Sequence, residues 1–349
     1  MASRTIGVGV IGTGVGARVH IPALMRTEGA RVVALCSQDE ARGATVARRW
    51  GIGQVVSGYR ELAELPDVDL VCVTTRPDLH YPAVMAALEA GKPVLCEKPF
   101  AMDAGEAGRM LAAARAAGVR GFVNHEFRLS PTVVAMRRMI EEGFLGEVRQ
   151  VVFTGANSFA RSAQHRLGGW WFDETKGGGW LFAAGSHRID SFRYLFGEIT
   201  AVAAELQTVV KEPVTRDGPV ISSVDDGFAL LLSFAGGAAG ICVSAASAVQ
   251  PGRPDQLAAY GDAGTLLVEG ERLFAGRGGS LEEVPLEPLA ALDGEDQVQA
   301  LVRLWMGEVV DAVRTGAPLR PDFEDGWRTQ QVLDAARLAA RERRWVEIG

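Results

Sequence analysis

One local feature narrows the possible folds of this chain more than any other: a glycine cluster set directly after an apolar run. Residues 5–11 read TIGVGVI, and Gly12-Thr13-Gly14-Val15-Gly16-Ala17 follows at once. As a strand, a sharp turn and a helix start, this spacing gives each small residue a task. Gly12 permits the tight turn, Gly14 lets the backbone approach a pyrophosphate, and Ala17 lets the helix pack close to the strand. The N–H groups at the helix start then face phosphate oxygens. A glycine-rich turn with no ligand has the same local look, so the surroundings decide.

Those surroundings alternate. After a helix over 16–28, strands are expected at 30–36, 69–75, 92–96 and 119–123. Helices are expected at 39–50, 78–90 and 103–117, the last two closed by Gly91 and Gly118. Such alternation makes a parallel sheet covered by helices. The pattern then changes. A helix at 131–142 precedes a long strand at 147–156, and a helix at 180–196 precedes strands near 199–210, 225–235, 238–248 and 264–268. Gly236-Gly237 marks a hairpin between two of these. Consecutive strands without helices predict a mostly antiparallel sheet, and helices at 297–315 and 324–341 end the chain. A chain of 349 residues exceeds what one core usually serves. The expected division is a dinucleotide-binding domain over 1–123 and an α+β domain over 124–349.

Charge and composition exclude some partners. The net charge of -7 opposes a nucleic-acid partner, which needs a basic face to neutralise phosphates. No stretch approaches the ~18 apolar residues of a membrane span, so no membrane partner is expected. The N-terminus lacks a charged segment, apolar run and cleavage site in series, so it reads as a linker and strand rather than a signal peptide. Cys36, Cys72, Cys96 and Cys242 form no C-x-x-C pair and sit in or beside apolar runs. That is the pattern of buried packing residues in a reducing compartment, so a cytoplasmic location is expected. The five histidines lack metal-ligand spacing, and no metal is expected.

The tip of the second strand bears on cofactor choice. A carboxylate there binds the adenosine ribose of NAD and repels a 2′-phosphate. This chain has Ser37-Gln38, then Asp39 and Glu40, with Arg42 on the next turn. Ser37 can donate to a 2′-phosphate and Arg42 can supply charge, so NADP is favoured over NAD. Gln38 is neutral, and Asp39 turned inward would favour NAD.

Residues 91–99 read Gly91-Lys92-Pro93-Val94-Leu95-Cys96-Glu97-Lys98-Pro99. Arg76-Pro77-Asp78-Leu79-His80 follows the third long strand. Gly177-Gly178-Gly179 precedes Gly185-Ser186-His187-Arg188-Ile189-Asp190, and Asp311-Ala312-Val313-Arg314-Thr315-Gly316 precedes Asp325-Gly326. Together these resemble the glucose–fructose oxidoreductase and inositol dehydrogenase family (Gfo/Idh/MocA) over nearly the whole chain. The resemblance implies a Rossmann domain followed by a domain with a large, open, mostly antiparallel sheet, and a site in the cleft between them. It implies an NAD(P)-dependent dehydrogenase or reductase acting on a CH–OH group of a sugar, cyclitol or related small molecule. Assembly as a homodimer or homotetramer through the open sheet face is also implied. The cofactor would lie against Gly12, Thr13, Gly14, Val15, Gly16, Ser37, Gln38, Arg42, Thr74, Thr75, Arg76, His80, Glu97 and Lys98.

By the same resemblance, Lys98 lies near the reacting carbon and His187 faces it as acid or base. The roles are chemically sound. Hydride transfer to a carbonyl leaves an alkoxide, so a proton must arrive and negative charge must be stabilised. One position departs from the family. Many members carry an aspartate four residues before the histidine, and here that position is Ala183. The i, i+4 spacing would have set a carboxylate beside the imidazole. Asp190, at i+3, is a structural element by resemblance; it is also a candidate substrate-side residue and a candidate replacement for the missing carboxylate.

Further substrate candidates are His125 and Arg128, in the Asn124-His125-Glu126-Phe127-Arg128 segment after the last parallel strand. Arg161 and Trp170 belong to a segment running through Trp170-Trp171-Phe172-Asp173, whose aromatic faces suit sugar C–H surfaces. Two other functions fit the motifs. One is redox-neutral elimination or epimerisation through transient hydride transfer. The other is a non-catalytic regulator that senses a dinucleotide.

Overall fold

The computed structural model describes residues 4–162, 167–250 and 252–349. They form two compact units. The first holds residues through Leu129 together with Leu289–Arg328, and the second holds Ser130–Pro288 with Thr329–Gly349.

Six parallel strands make the sheet of the first unit: β1 (Ile6–Ile11), β2 (Ala30–Cys36), β3 (Gln54–Val56), β4 (Leu70–Val73), β5 (Val94–Cys96) and β6 (Gly121–Val123). Their order is β3-β2-β1-β4-β5-β6. It reverses between β1 and β4, beside the glycine cluster, which is where open α/β sheets bind ligands. The helices are α1 (Ile21–Met25), α2 (Glu40–Trp50), α3 (Tyr59–Ala63), α4 (His80–Glu89) and α5 (Ala104–Ala117). Two of them start and stop as their sequences dictate. Asp39 and Asp103 accept the third backbone N–H of α2 and α5, and left-handed Gly51 and Gly118 end them. The helix expected at 16–28 opens instead as a π-helical turn, Gly16–His20, before α1.

The second unit begins with α6 (Pro131–Glu141) and β7 (Val148–Ala156). It continues through a second π-helical turn, Leu181–Gly185, into α7 (Ser186–Phe196). Then come β8 (Ile199–Gln207), the short pair β9 (Val214–Thr215) and β10 (Gly218–Pro219), β11 (Gly227–Phe234) and β12 (Ala239–Ala245). The rest are β13 (Gln256–Gly261), β14 (Thr265–Glu269), β15 (Arg272–Gly276), β16 (Glu282–Val284) and, near the C-terminus, β17 (Val346–Glu347). Nine strands form one sheet in the order β16-β15-β14-β13-β7-β12-β11-β8-β17. Its β7–β12 pair is parallel and every other pair is antiparallel. Along β11 and β12 burial alternates. Leu230, Leu232 and Cys242 join Ile189, Phe192, Leu333 and Ala336 in the core, while Leu231, Ile241 and Val243 point outward and stay exposed. A consecutive apolar run thus serves one buried and one open face.

The single boundary expected near residue 123 is replaced by three crossings, because α8 (Gln297–Thr315) returns to the first unit. Its Val302, Trp305, Met306, Val309 and Val310 pack with Ile6, Val8, Ile21 and Leu24. Helical periodicity identifies the buried face of α8 but not the core that receives it. The final helix α9 (Phe323–Glu342) starts in the first unit and ends in the second. No helix among the described residues is long and apolar enough to cross a membrane.

Candidate active site

The glycine turn is built against β4. Gly12 has φ +115° and donates its N–H to the Cys36 carbonyl at 3.1 Å. A Cβ at Gly12 or Gly16 would lie 2.9 or 2.3 Å from the Thr74 hydroxyl, whereas a Cβ at Gly14 would meet nothing within 4 Å. Thr74 is therefore the strut beneath the loop, and its hydroxyl donates to the Ile11 carbonyl at 2.8 Å. Gly14 leaves the outer side of the loop open, which is the form needed for close approach of a pyrophosphate.

At the tip of β2, Ser37 is buried and its hydroxyl already donates to the Asp39 carbonyl at 2.8 Å. Asp39 is used as the cap of α2, accepting the Arg42 N–H at 3.0 Å. The Arg42 guanidinium reaches back to the Thr13 carbonyl at 3.0 Å. The cationic group beside the glycine turn is thus Arg42, while Gln38 is exposed.

After β5, Glu97 is the hub of a buried cluster. Its Oε1 lies 2.5 Å from His20 Nε2 and accepts from Asn124 Nδ2 at 3.0 Å, while its Oε2 accepts the Lys98 backbone N–H at 3.0 Å. Burial pushes the carboxyl upward. The His20 bond and charge and the Lys98 charge and N–H outweigh it and hold the group well below the usual carboxylate range. His80 is fully buried on α4. Its Nδ1 lies 3.0 Å from the Pro99 carbonyl and its Nε2 lies 3.1 Å from the Thr75 carbonyl. Both partners are carbonyl acceptors and burial favours the neutral ring, so one nitrogen donates to its carbonyl while the other only faces its own. Thr75 keeps a buried hydroxyl without a hydrogen-bond partner among the described residues, and Arg76 pairs with Asp78 at 2.7 Å.

The segment after β6 is also interior. His125 and Arg128 are buried, and Arg128 pairs with Asp325 at 3.1 Å. Asp325 also accepts from Arg320 at 2.8 and 2.9 Å. Burial raises its carboxyl, but the two guanidiniums win and hold it at about 2. All four cysteines are buried, and burial pushes the Cys36, Cys72 and Cys242 thiols up to about 12. They are packing residues, not nucleophiles.

In the second unit, α7 carries His187 and Asp190, both buried, with Ala183 in the preceding π-helical turn. Asp225 accepts the Leu181 N–H at 2.7 Å and so caps that turn. Burial pushes its carboxyl up to about 6, against the pull of the Leu181 N–H and Arg337. Trp170 stacks on Trp171 at 4.9 Å, Phe159 meets Trp171 and Trp180, and Arg161 donates to the Ser247 carbonyl at 2.6 Å. Residues 163–166 of that segment lie outside the described residues. Among the described residues, no group of three or more His, Cys, Asp or Glu side chains could hold a metal ion.

Two residues of this architecture escape sequence reasoning. His20 carries no motif of its own, and Asp225 lies more than forty residues from the helix it caps.

Comparison with known proteins decides the family. Residues 6–125 match the oxidoreductase family with an NAD-binding Rossmann fold, and residues 133–267 match the GFO/IDH/MocA C-terminal domain. The chain belongs to the Gfo/Idh/MocA oxidoreductase family. Glucose-fructose oxidoreductase domain-containing protein 2 of Homo sapiens is 30% identical over 367 residues, 98% of this chain and 93% of its own. D-apiose dehydrogenase of Paraburkholderia graminis is 28% identical over 354 residues, 97% of this chain and 88% of its own. A structure of levoglucosan dehydrogenase in complex with NADH and L-sorbose matches with TM-score 0.88 at 25% identity, covering 99% of both chains. This Gfo/Idh/MocA chain is therefore an oxidoreductase with an NAD-binding Rossmann domain, and its glycine turn fits that ligand.

Proposed function

We propose that this oxidoreductase moves hydride between a nicotinamide dinucleotide and a hydroxyl or carbonyl of a sugar, cyclitol or related polyol. The carrying observation is the turn that presents Lys98. Its backbone N–H is fixed by the Glu97 carboxylate, in the same unit as a glycine turn suited to a dinucleotide. Relatives named as D-apiose and levoglucosan dehydrogenases support the substrate class. When bound, the nicotinamide supplies or accepts the hydride. Lys98 then exchanges the hydroxyl proton and stabilises the developing alkoxide, and His187 assists without the carboxylate that Ala183 replaces. His125, Arg128, Arg161 and Trp170 are the proposed substrate-side groups, with Asp190 bracing α7.

The same reading favours NADP(H) over NAD(H), now chiefly through Arg42, since the Ser37 proton is committed to Asp39 and the Asp39 carboxylate to α2. It also places a homodimer or homotetramer contact on the exposed apolar residues Leu231, Ile241 and Val243. Light scattering tests that contact; a stable monomer at micromolar concentration counts against it.

Nicotinamide absorbance across a panel of sugars and polyols, with both cofactors, tests the function. Net change in absorbance supports a dehydrogenase. A transient change with no net turnover indicates the redox-neutral route, for which the missing carboxylate at Ala183 argues. Silence with tight dinucleotide binding indicates a sensor. At least tenfold tighter binding of NAD(H) overturns the NADP preference.

A further inference from the structure

We propose that His20 is a positioning residue for Lys98, acting through Glu97. The inference rests on the role given to Lys98 above. It starts from an unusual placement: an imidazole with 1% exposure, on the last residue of the π-helical turn that follows the glycine cluster, meeting a buried carboxylate 77 positions away. A carboxylate can only accept, so Nε2 carries the proton and donates it to Oε1. Nδ1 has no hydrogen-bond partner among the described residues. The ring is therefore held by one polar contact, the one to Glu97.

Glu97 transmits that contact. Oε1 takes the donors from His20 and Asn124, and Oε2 takes the Lys98 backbone N–H. His20 lies in the turn that follows β1, Glu97 directly after β5 and Asn124 directly after β6, so segments following three strands converge on one side chain. The Lys98 N–H is the last link, on the same residue as the side chain proposed to handle the proton. A carboxylate gripped on both oxygens has one orientation. Without His20, Oε1 keeps the Asn124 amide but loses its shorter contact, so the orientation of the carboxylate, and with it the acceptor for the Lys98 N–H, is held less firmly. Charge-assisted bonds of this kind are the strong ones, and leaving one end buried and unmet costs more than the bond gains.

The surroundings sharpen the expectation. Besides His20 and Lys98, the titratable groups that face Glu97 are the buried thiols Cys72 and Cys96 and the buried imidazole His80. The thiols are pushed upward and stay neutral at working pH, and burial pushes His80 toward its neutral form. Burial is already the largest single influence on Glu97 and is outweighed only by its partners together; without the His20 bond and charge the balance shifts and the carboxyl takes up a proton at higher pH. The hold on Lys98 then acquires a pH dependence that the intact protein lacks near neutrality.

The lysines of this chain are Lys92, Lys98, Lys176 and Lys211, so protein labelled with ¹⁵N-lysine gives a short set of amide signals. Loss of one signal in Lys98→Arg assigns it. Amide exchange of Lys98 is measured from pH 5 to 8 in cofactor-free wild type, His20→Leu and His20→Gln, with kcat and KM on an active substrate measured beside it. Gln places a donor at about the reach of Nε2, whereas Leu fills the space and offers none. In His20→Leu, Lys98 exchange should rise at least about tenfold relative to Lys92, kcat should fall about tenfold, and KM should change little. The acid limb of its pH–rate profile should move upward. His20→Gln should restore most of each effect. Unchanged Lys98 exchange in a folded His20→Leu overturns the proposal, whatever the activity. So does faster exchange with unaltered kcat and pH profile, and so does failure of Gln to rescue a folded protein. If wild type turns over no substrate, the functional reading fails separately. The exchange measurement then still decides whether His20 holds the Lys98 turn.

Discussion

Gly16–His20 and Leu181–Gly185 are both five-residue π-helical turns that run directly into an α-helix, yet they are anchored by opposite means. The first is held at its end, where His20 delivers a donor to a carboxylate kept ionised by its neighbours. The second is held at its beginning, where Asp225 receives the Leu181 N–H while burial works against its charge. Turns of this kind are rare and concentrate at functional sites. Here the difference separates two duties. Around Glu97 the polar groups support one another and fix the backbone N–H of Lys98, the residue proposed above to handle the proton. Around Asp225 a single carboxylate steadies the turn that carries Ala183 and leads into α7.

The comparison breaks most readily at Lys98. Lys98→Met keeps the length and removes the charge and donor, so turnover should fall about a hundredfold or more, a normal loss for acid–base help. Dinucleotide binding, followed by fluorescence titration, should be largely kept. A smaller effect is expected for His187→Ala, about tenfold in kcat. If His187→Ala proves more damaging than Lys98→Met, the roles of the two regions are reversed and the chemistry sits on α7. Ala183→Asp sharpens the point. It restores a carboxylate one turn before His187, favours the protonated ring, and should move one limb of the pH–rate profile upward; an unmoved profile in a folded variant removes His187 from the proton path.

Asp225→Asn should change turnover least, within about twofold, because its effect is on stability. Asp225 binds its proton more tightly when folded, with a value of about 6 against an ordinary 3.8. Its contribution is therefore present in full below about pH 4 and is lost as pH rises through about 6. A shift of this size bounds that loss at about 3 kcal/mol. Chemical denaturation across pH 4 to 8 should show the decline in wild type and a flatter profile in Asp225→Asn. Parallel profiles would mean that the carboxylate is not held against its charge.

Much of this architecture is legible in the amino-acid sequence. The ends of α8 match the expected 297–315, and the stop of α5 is visible as Gly118 because capping is local chemistry; Asp39 and Asp103 stand at the expected helix starts, and the structure makes them the caps of α2 and α5. Short elements escape. β3 has three residues, α3 has five, and β17 has two, too few for a period to register. The outward pointing of Leu231 and Ile241 is hidden inside an unbroken apolar run. Glu97 and Lys98 announce themselves through a motif, and Asn124 through its neighbours. His20 does not, because its meaning lies in a partner brought near by the order β2-β1-β4-β5-β6 rather than by spacing along the chain. Ser37 shows the converse: its hydroxyl is recognisable in the sequence, but its commitment to Asp39 is not.

The return of α8 to the first sheet has a consequence for how the protein comes into being. Trp305, Met306, Val309 and Val310 are wholly inside the core that also contains Ile6, Val8 and Leu24. During synthesis, the nascent glycine turn and its strands emerge early, yet the apolar layer that seals one side of them is translated only from Gln297, more than 170 residues after β6. Until then that side stands open to water and to other chains, the situation in which newborn proteins lean on chaperones. A shortened chain ending just after Asn124 would carry His20, Lys98 and Asn124, the hydrogen-bond partners of Glu97 named above, and still lack the wall behind its sheet.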